Sequence, residues 1–220
     1  MAELPITLHH AHQTRSMRAL WLLHELDVPF ELVVHPFGKN LRDPAYLAKS
    51  PVGRVPALEI GGQTLFESGA ITEYLCETFP EAGLGRAPGD PERADWLVWV
   101  HFAETMAQHC AALTQQHIAL YEDHMRSPIV MKLESARLAK CYAALDQRLQ
   151  SRDHLLDSGF SAADISCGYS VYSGRHFAHI EPFAALSAWY ARITARPAFQ
   201  KSLPPEGAPL YGDKFYEAPA

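Results

Sequence analysis

The stretch "GRVPALEIGGQTLFESGAITEYL", Gly53 to Leu75, decides how the first part of the chain folds. Two short apolar-rich runs, "PALEI" and "QTLF", flank Gly61-Gly62 and predict a β-hairpin with a tight turn. Pro56 stands at the mouth of the first run, and a residue without an N–H belongs at a strand's first position or on an edge. An ordinary trans Pro56 is only a strand entry. A cis Val55-Pro56 bond would turn the Val55 N–H and C=O outward, toward an extended peptide ligand that adds as a strand. Ser68 opens a helix to about Thr78. Its hydroxyl is either a helix cap or, with the first amides and the helix dipole, part of an anion site.

Upstream, "ITLHH" (Ile6 to His10) reads as a strand, Arg15 to Leu26 as a helix with Ala19, Leu20, Leu23 and Leu26 on one face, and "FELVVH" as a second strand. Asp43-Pro44 caps a short helix reaching about Lys49. The order β-α-β-α-β-β-α implies a parallel pair joined by a crossover, with the hairpin adding antiparallel edge strands. "FPEAGLGRAPGD", Phe79 to Asp90, is dense in Pro and Gly and reads as a linker. Beyond it the pattern is helical: a long helix capped by Asp90-Pro91 and running toward Ile118, then helices opened by Ser127-Pro128, Ser161 and Pro182. The expected organisation is an α/β domain over 1–80, a linker over 81–90, an all-helical domain over 91–203 and a Pro-rich tail over 204–220, in which Tyr211, Phe215 and Tyr216 can pack back.

Composition narrows the function classes. The 220 residues are 48% hydrophobic and 20% charged, with net charge −6 and pI near 6.0. No basic block favours nucleic acid or an anionic membrane, and no apolar run is long enough for a bilayer. The start lacks the pattern of a secretory signal. Cys76, Cys110, Cys141 and Cys167 are widely spaced without a CxxC, as expected of free thiols in a reducing, cytoplasmic setting. "HHAH" and "HFAH" lack zinc-ligand spacing, so no metal is expected. Glycine-rich nucleotide signatures and G-x-S-x-G are absent.

Three further stretches bear on chemistry. "HQTRSMR", His12 to Arg18, turns into the first helix with two hydroxyls, Thr14 and Ser16, around Arg15. "FSAADI" fits a capping box, Ser161 with Asp164, and is structural. In "WLVWVHFAETM", Trp99, Phe102, Ala103 and Met106 are either core or the lining of an apolar pocket.

Taken in this order, "TRSMRALWLLHEL", "SPVGRVPALE", "FESGAITEYL", "FSAADI" and "RPAFQKSL" resemble the cytosolic glutathione transferase family over essentially the whole chain. The first turn is most similar to bacterial and fungal members that read Ser-Arg-Ser-x-Arg before Leu-Trp-Leu-Leu. The resemblance implies a thioredoxin-like first domain followed by an all-α domain. It implies glutathione as co-substrate, lying extended across the first domain. Val55, before a cis Pro56, would pair with the cysteinyl backbone. Glu67 would take the γ-glutamyl ammonium and Ser68 its carboxylate, while Arg54 with Arg42 or Lys39 would neutralise the glycyl carboxylate. A hydroxyl at the first turn, Thr14 foremost with Ser16 or the Arg15 amide as alternatives, would donate to the thiolate. The thiolate would attack a small apolar electrophile or a peroxide in a pocket of His12, Trp99, Phe102, Ala103 and Met106. Family members of this kind are detoxifying homodimers. Thr14 departs from the family's Ser, and neither Tyr nor Cys lies at the turn. The competing reading is a non-catalytic glutathione-binding or protein-interaction module of the same fold.

Overall fold

The computed structural model describes residues 4–36, 39–208, 211, 214 and 215, with the side chains of residues 39 and 40 also outside the description. These residues gather into two compact units, one from Met1–Asp90 with Ala195–Leu210 and one from Pro91–Thr194 with Tyr211–Ala220.

The first unit is built on a four-stranded sheet in the order β2-β1-β3-β4. Strand β1 (Ile6–His10) pairs parallel with β2 (Glu31–Val34) and antiparallel with β3 (Ala57–Ile60), which pairs antiparallel with β4 (Gln63–Phe66). The hairpin at Gly61-Gly62 is therefore present, but of its two strands β3 lies inside the sheet and only β4 is at an edge. The reason is burial: Ala57, Leu58 and Ile60 are all but fully buried, whereas in β4 only Leu65 is half-buried and Gln63, Thr64 and Phe66 are exposed. Helix α1 (Ser16–Leu26) forms the crossover and packs on β1 and on α3 (Ser68–Thr78). The short α2 (Pro44–Leu47) starts at Asp43, whose side chain accepts from the Ala45 N–H at 2.8 Å.

The second unit is helical, with α4 (Arg93–Thr114), α5 (Pro128–Leu149), α6 (Ala162–Gly174) and α7 (Ala184–Thr194). Its core is α4 against α5 and α6, with α7 closing on α5 and α6. The expected caps hold at Ser127, which accepts from the Val130 N–H, and at Ser161, where the full box with Asp164 forms. Asp164 has no exposed surface and accepts from the N–H groups of Leu155 and Ser161 and from Trp189 Nε1.

Some boundaries move. Asp90-Pro91 does not cap α4; Glu92 occupies the cap position without a side-chain bond, and the helix begins at Arg93. Its C-terminal extension toward Ile118 is one π-helical turn, Gln115–Ala119. Helix α7 starts two residues after Pro182. "RPAFQK" forms an unexpected helix, α8 (Pro197–Lys201), within the first unit. There Phe199 meets Trp21 edge-on at 4.8 Å, and Arg196 makes paired 2.7 Å bonds to the Glu25 carboxylate. From the tail, Tyr211 and Phe215 pack on the second unit, Tyr211 bonding Thr114 and Phe215 stacking with His117; Tyr216 lies outside the described residues.

Candidate functional site

The site is assembled where β1 ends and α1 begins. β1 leads directly into the turn, and Gln13 takes a left-handed conformation there, φ 56°, which reverses the chain into the helix. Around this turn lies a connected set of polar groups. Ser16 Oγ accepts from the Ala11 N–H at 3.1 Å and lies 2.7 Å from His10 Nδ1 and 2.8 Å from Thr14 Oγ1. Thr14 Oγ1 donates to the Ala11 carbonyl at 2.7 Å.

These contacts separate the two hydroxyls. Ser16 has no exposed surface, whereas Thr14 and its neighbours His12 and Arg15 are half-buried. Ser16 is also not the helix cap: Arg15 occupies that position with no side-chain cap bond, and Ser16 is the first helical residue. Among the described residues, only Thr14 offers an accessible hydroxyl at the helix head. Burial pushes the His10 imidazole down to about 3, reinforced by nearby His12 and partly opposed by the Ser16 contact, so His10 is neutral at physiological pH. Burial lowers His12 as well.

The second part of the site is the chain before β3. The Val55-Pro56 peptide bond is cis, and the sheet ladder begins only at Ala57, leaving the Val55 backbone outside it. Gly53 adopts φ 61°, and a Cβ there would stand 2.6 Å from the Leu41 carbonyl oxygen, so this loop requires glycine twice over. Tyr46 donates to the Arg54 carbonyl at 2.8 Å, tying the same loop to α2. Arg42 and Arg54 are exposed, and neither guanidinium pairs with another described residue. Lys39 begins a 3-10 turn, Lys39–Arg42, with its side chain outside the described residues. Arg42 also borders an open cleft of about 800 Å³ shared with His9, His35, Asp43, Ala45, Tyr46 and Lys49. His9 bridges His35 and Glu59 there at 2.9 and 2.8 Å.

The third part is the head of α3. Glu67 is exposed at φ 75°, ψ 113°, a backbone state costly for any residue with a Cβ and typical of ligand-holding positions. Ser68 is buried and does not cap the helix, because Glu67 holds the cap position. Its Oγ accepts from Arg18 Nη1 at 3.0 Å. Arg18 is itself 2% exposed and joins α1 to α3. Of the residues expected around an apolar pocket, Ala103 and Met106 are wholly buried, while Trp99 and Phe102, edge-on at 5.2 Å, retain surface on α4. Among the described residues no group of three His, Cys, Asp or Glu side chains is placed to hold a metal ion, and all four cysteines are buried thiols outside any disulfide.

Sequence reasoning missed His10 and Arg18. Both carried a signal: His10 shares a strand face with Ile6 and Leu8, and Arg18 lies one turn from buried Leu22 on α1. A polar group on a core face must find a buried partner.

Residues 8–83 match the family model described as the glutathione S-transferase N-terminal domain. The chain is 31% identical over 217 residues to a glutathione S-transferase of Silene vulgaris, covering 91% of this chain and 97% of that one. The chain belongs to the glutathione S-transferase family. Glutathione S-transferase 3 of Schizosaccharomyces pombe is 28% identical, with 88% and 84% of the two chains covered. Among solved structures, a sphingomonad glutathione S-transferase in complex with glutathione is similar with TM-score 0.75 at 27% identity, covering 90% of this chain and 96% of that chain. The four-stranded sheet of the first unit and the helices of the second are those of the glutathione transferase fold.

Proposed function

We propose that the protein is a glutathione transferase in which the Thr14 hydroxyl stabilises the glutathione thiolate for attack on a small apolar electrophile. The observation that carries this reading is the accessible Thr14 hydroxyl at the head of α1, backed by buried Ser16, in a chain of this family. Glutathione lies extended along the first unit. The Val55 N–H and C=O, free of the sheet ladder, pair with its cysteinyl backbone. Glu67 receives the γ-glutamyl ammonium, and Ser68 with the first amides of α3 receives its carboxylate. Arg54 and Arg42, with Lys39 in the same loop, answer the glycyl carboxylate. The charges correspond: two carboxylates and one ammonium on the ligand meet cations, helix amides and one carboxylate here.

An unperturbed thiol titrates near ~8.5, and a helix N-terminus lowers it. One hydroxyl donating to an anionic sulfur contributes about 1.5–3 kcal/mol, equivalent to about 1–2 pKa units. The thiolate sulfur then bonds to the electrophilic carbon as the leaving group departs with its electron pair. Homodimerisation, a cytoplasmic location and a detoxifying role belong to the same proposal and rest on the family resemblance. No helix among the described residues is long and apolar enough to cross a membrane.

The test has two arms. Millimolar glutathione should raise the melting temperature by mass action; an unchanged melting temperature refutes a working peptide site. Glutathione should also conjugate to chlorodinitrobenzene, and Thr14→Ala should slow turnover about 10–100-fold with little change in glutathione affinity. Binding without turnover over a panel of electrophiles would make the protein a binding module instead.

A further inference from the structure

We propose that His10 is a positioning residue for thiol activation, acting through Ser16 to hold the Thr14 proton toward the bound sulfur. This rests on the reading that Thr14 donates to the thiolate.

Ser16 and Thr14 each carry one hydroxyl proton, and neutral His10 carries one ring proton. Ser16 Oγ already accepts from the Ala11 N–H, and its remaining close partners are His10 Nδ1 at 2.7 Å, Thr14 Oγ1 at 2.8 Å and the Ala11 carbonyl at 3.2 Å. If His10 carries its proton on Nδ1, the bonds run one way. His10 donates to Ser16, Ser16 donates to Thr14, and the Thr14 proton is left for the Ala11 carbonyl at rest or for a sulfur when glutathione is bound. If the proton is on Nε2, Ser16 must donate to the bare Nδ1. Thr14 can then satisfy its contact with Ser16 only by donating inward, and its proton is lost to the sulfur.

Two observations select the first arrangement. Thr14 Oγ1 lies 2.7 Å from the Ala11 carbonyl, a distance that requires Thr14 to be the donor there and so to accept from Ser16. His10 Nε2 is buried with no hydrogen-bond partner among the described residues. An unpartnered bare nitrogen is tolerated better than an unpartnered buried N–H. The imidazole is kept neutral by its burial, with a value near 3, so it is not a doubly protonated donor. His10 also sits at the end of β1, an inner strand of the sheet, where it pairs with Val34 of β2 and its carbonyl accepts from the His35 N–H at 2.7 Å. Turning the Thr14 proton from the carbonyl to the sulfur needs only rotation about the Cβ–Oγ bond. The bond accepted from Ser16 polarises Thr14 further.

Substitutions at His10 and Thr14, a thiol titration and an NMR spectrum test this. His10→Leu removes the donor. His10→Asn keeps an amide N–H at the reach of Nδ1. The bound thiol is titrated by its thiolate ultraviolet absorbance, and glutathione affinity is measured by calorimetry. His10→Leu should raise the bound-thiol pKa by about 0.5–1 unit, a three- to tenfold loss of thiolate below that pKa, with affinity unchanged. His10→Asn should restore most of it. In Thr14→Ala the His10→Leu effect should vanish. Nitrogen-15 NMR of the native protein should show His10 protonated on Nδ1, which keeps the proposal testable even if His10→Leu does not fold. An Nε2–H signal, or a folded His10→Leu with an unshifted bound thiol, overturns the role of His10. An unshifted thiol in Thr14→Ala overturns instead the reading on which it rests.

Discussion

Acid should unfold this protein early, and His10 should account for much of the effect. Its imidazole is lowered from 6.5 to about 3 by burial and by His12. A group whose folded value lies below its unfolded value binds more protons when unfolded, so stability falls as the pH drops through 6.5 toward 3. At pH 5 the unfolded chain binds the proton and the folded one does not. The gap from 6.5 then corresponds to about 2 kcal/mol at 1.36 kcal/mol per unit, against only about 0.2 kcal/mol at pH 7. The result hardly depends on where below pH 5 the folded value lies, because there the folded state is unprotonated either way. Other groups contribute, among them His12, His24 and His35, all lowered by burial. Comparison with His10→Asn cancels them, since Asn does not titrate. Urea unfolding at pH 7 and pH 5, followed by tryptophan fluorescence that includes Trp21 of the same unit, should show the native protein losing about 2 kcal/mol more than the variant between the two values. Equal losses would refute the claim that His10 is buried and neutral.

Two further outcomes concern packing. Arg196→Ala removes both guanidinium bonds from the buried Glu25 carboxylate and leaves it the Trp21 Nε1 donor at 3.0 Å; a loss of about 2–3 kcal/mol in urea unfolding is expected, with faster proteolysis after Thr194 as α8 loosens. Asp164→Ala leaves the Leu155, Ser161 and Trp189 N–H groups without their buried acceptor and should cost about 3–5 kcal/mol, measured as a lowered melting temperature, with Asp164→Asn recovering part of it.

Much of the fold was legible because the signals were local. Two short apolar-rich runs around Gly61-Gly62 specify the hairpin within a few residues, and the Ser161–Asp164 box closes within one helical turn. The misplacements arose where local chemistry permits a feature without requiring it. Asp90-Pro91 could begin a helix, yet α4 starts at Arg93; Ser16 and Ser68 could cap, yet each lies one residue inside its helix. The placement of α8 was not legible at all, because the contact that holds it joins Arg196 to Glu25 across 171 residues.

The sequence by itself determined the βαβαββα order of the first unit and the caps at Asp43, Ser127 and Ser161 that close within a turn. These depend on spacing along the chain, which sequence displays directly. The tertiary structure alone decided which hydroxyl is accessible. It buried Ser16 between His10 and Thr14, left Thr14 half-exposed, and made Ser68 Oγ the acceptor for Arg18 fifty residues away. Burial and hydrogen-bond direction are set by what the sheet and the helices bring together, and a polar side chain's chemistry follows from those neighbours rather than from its own identity.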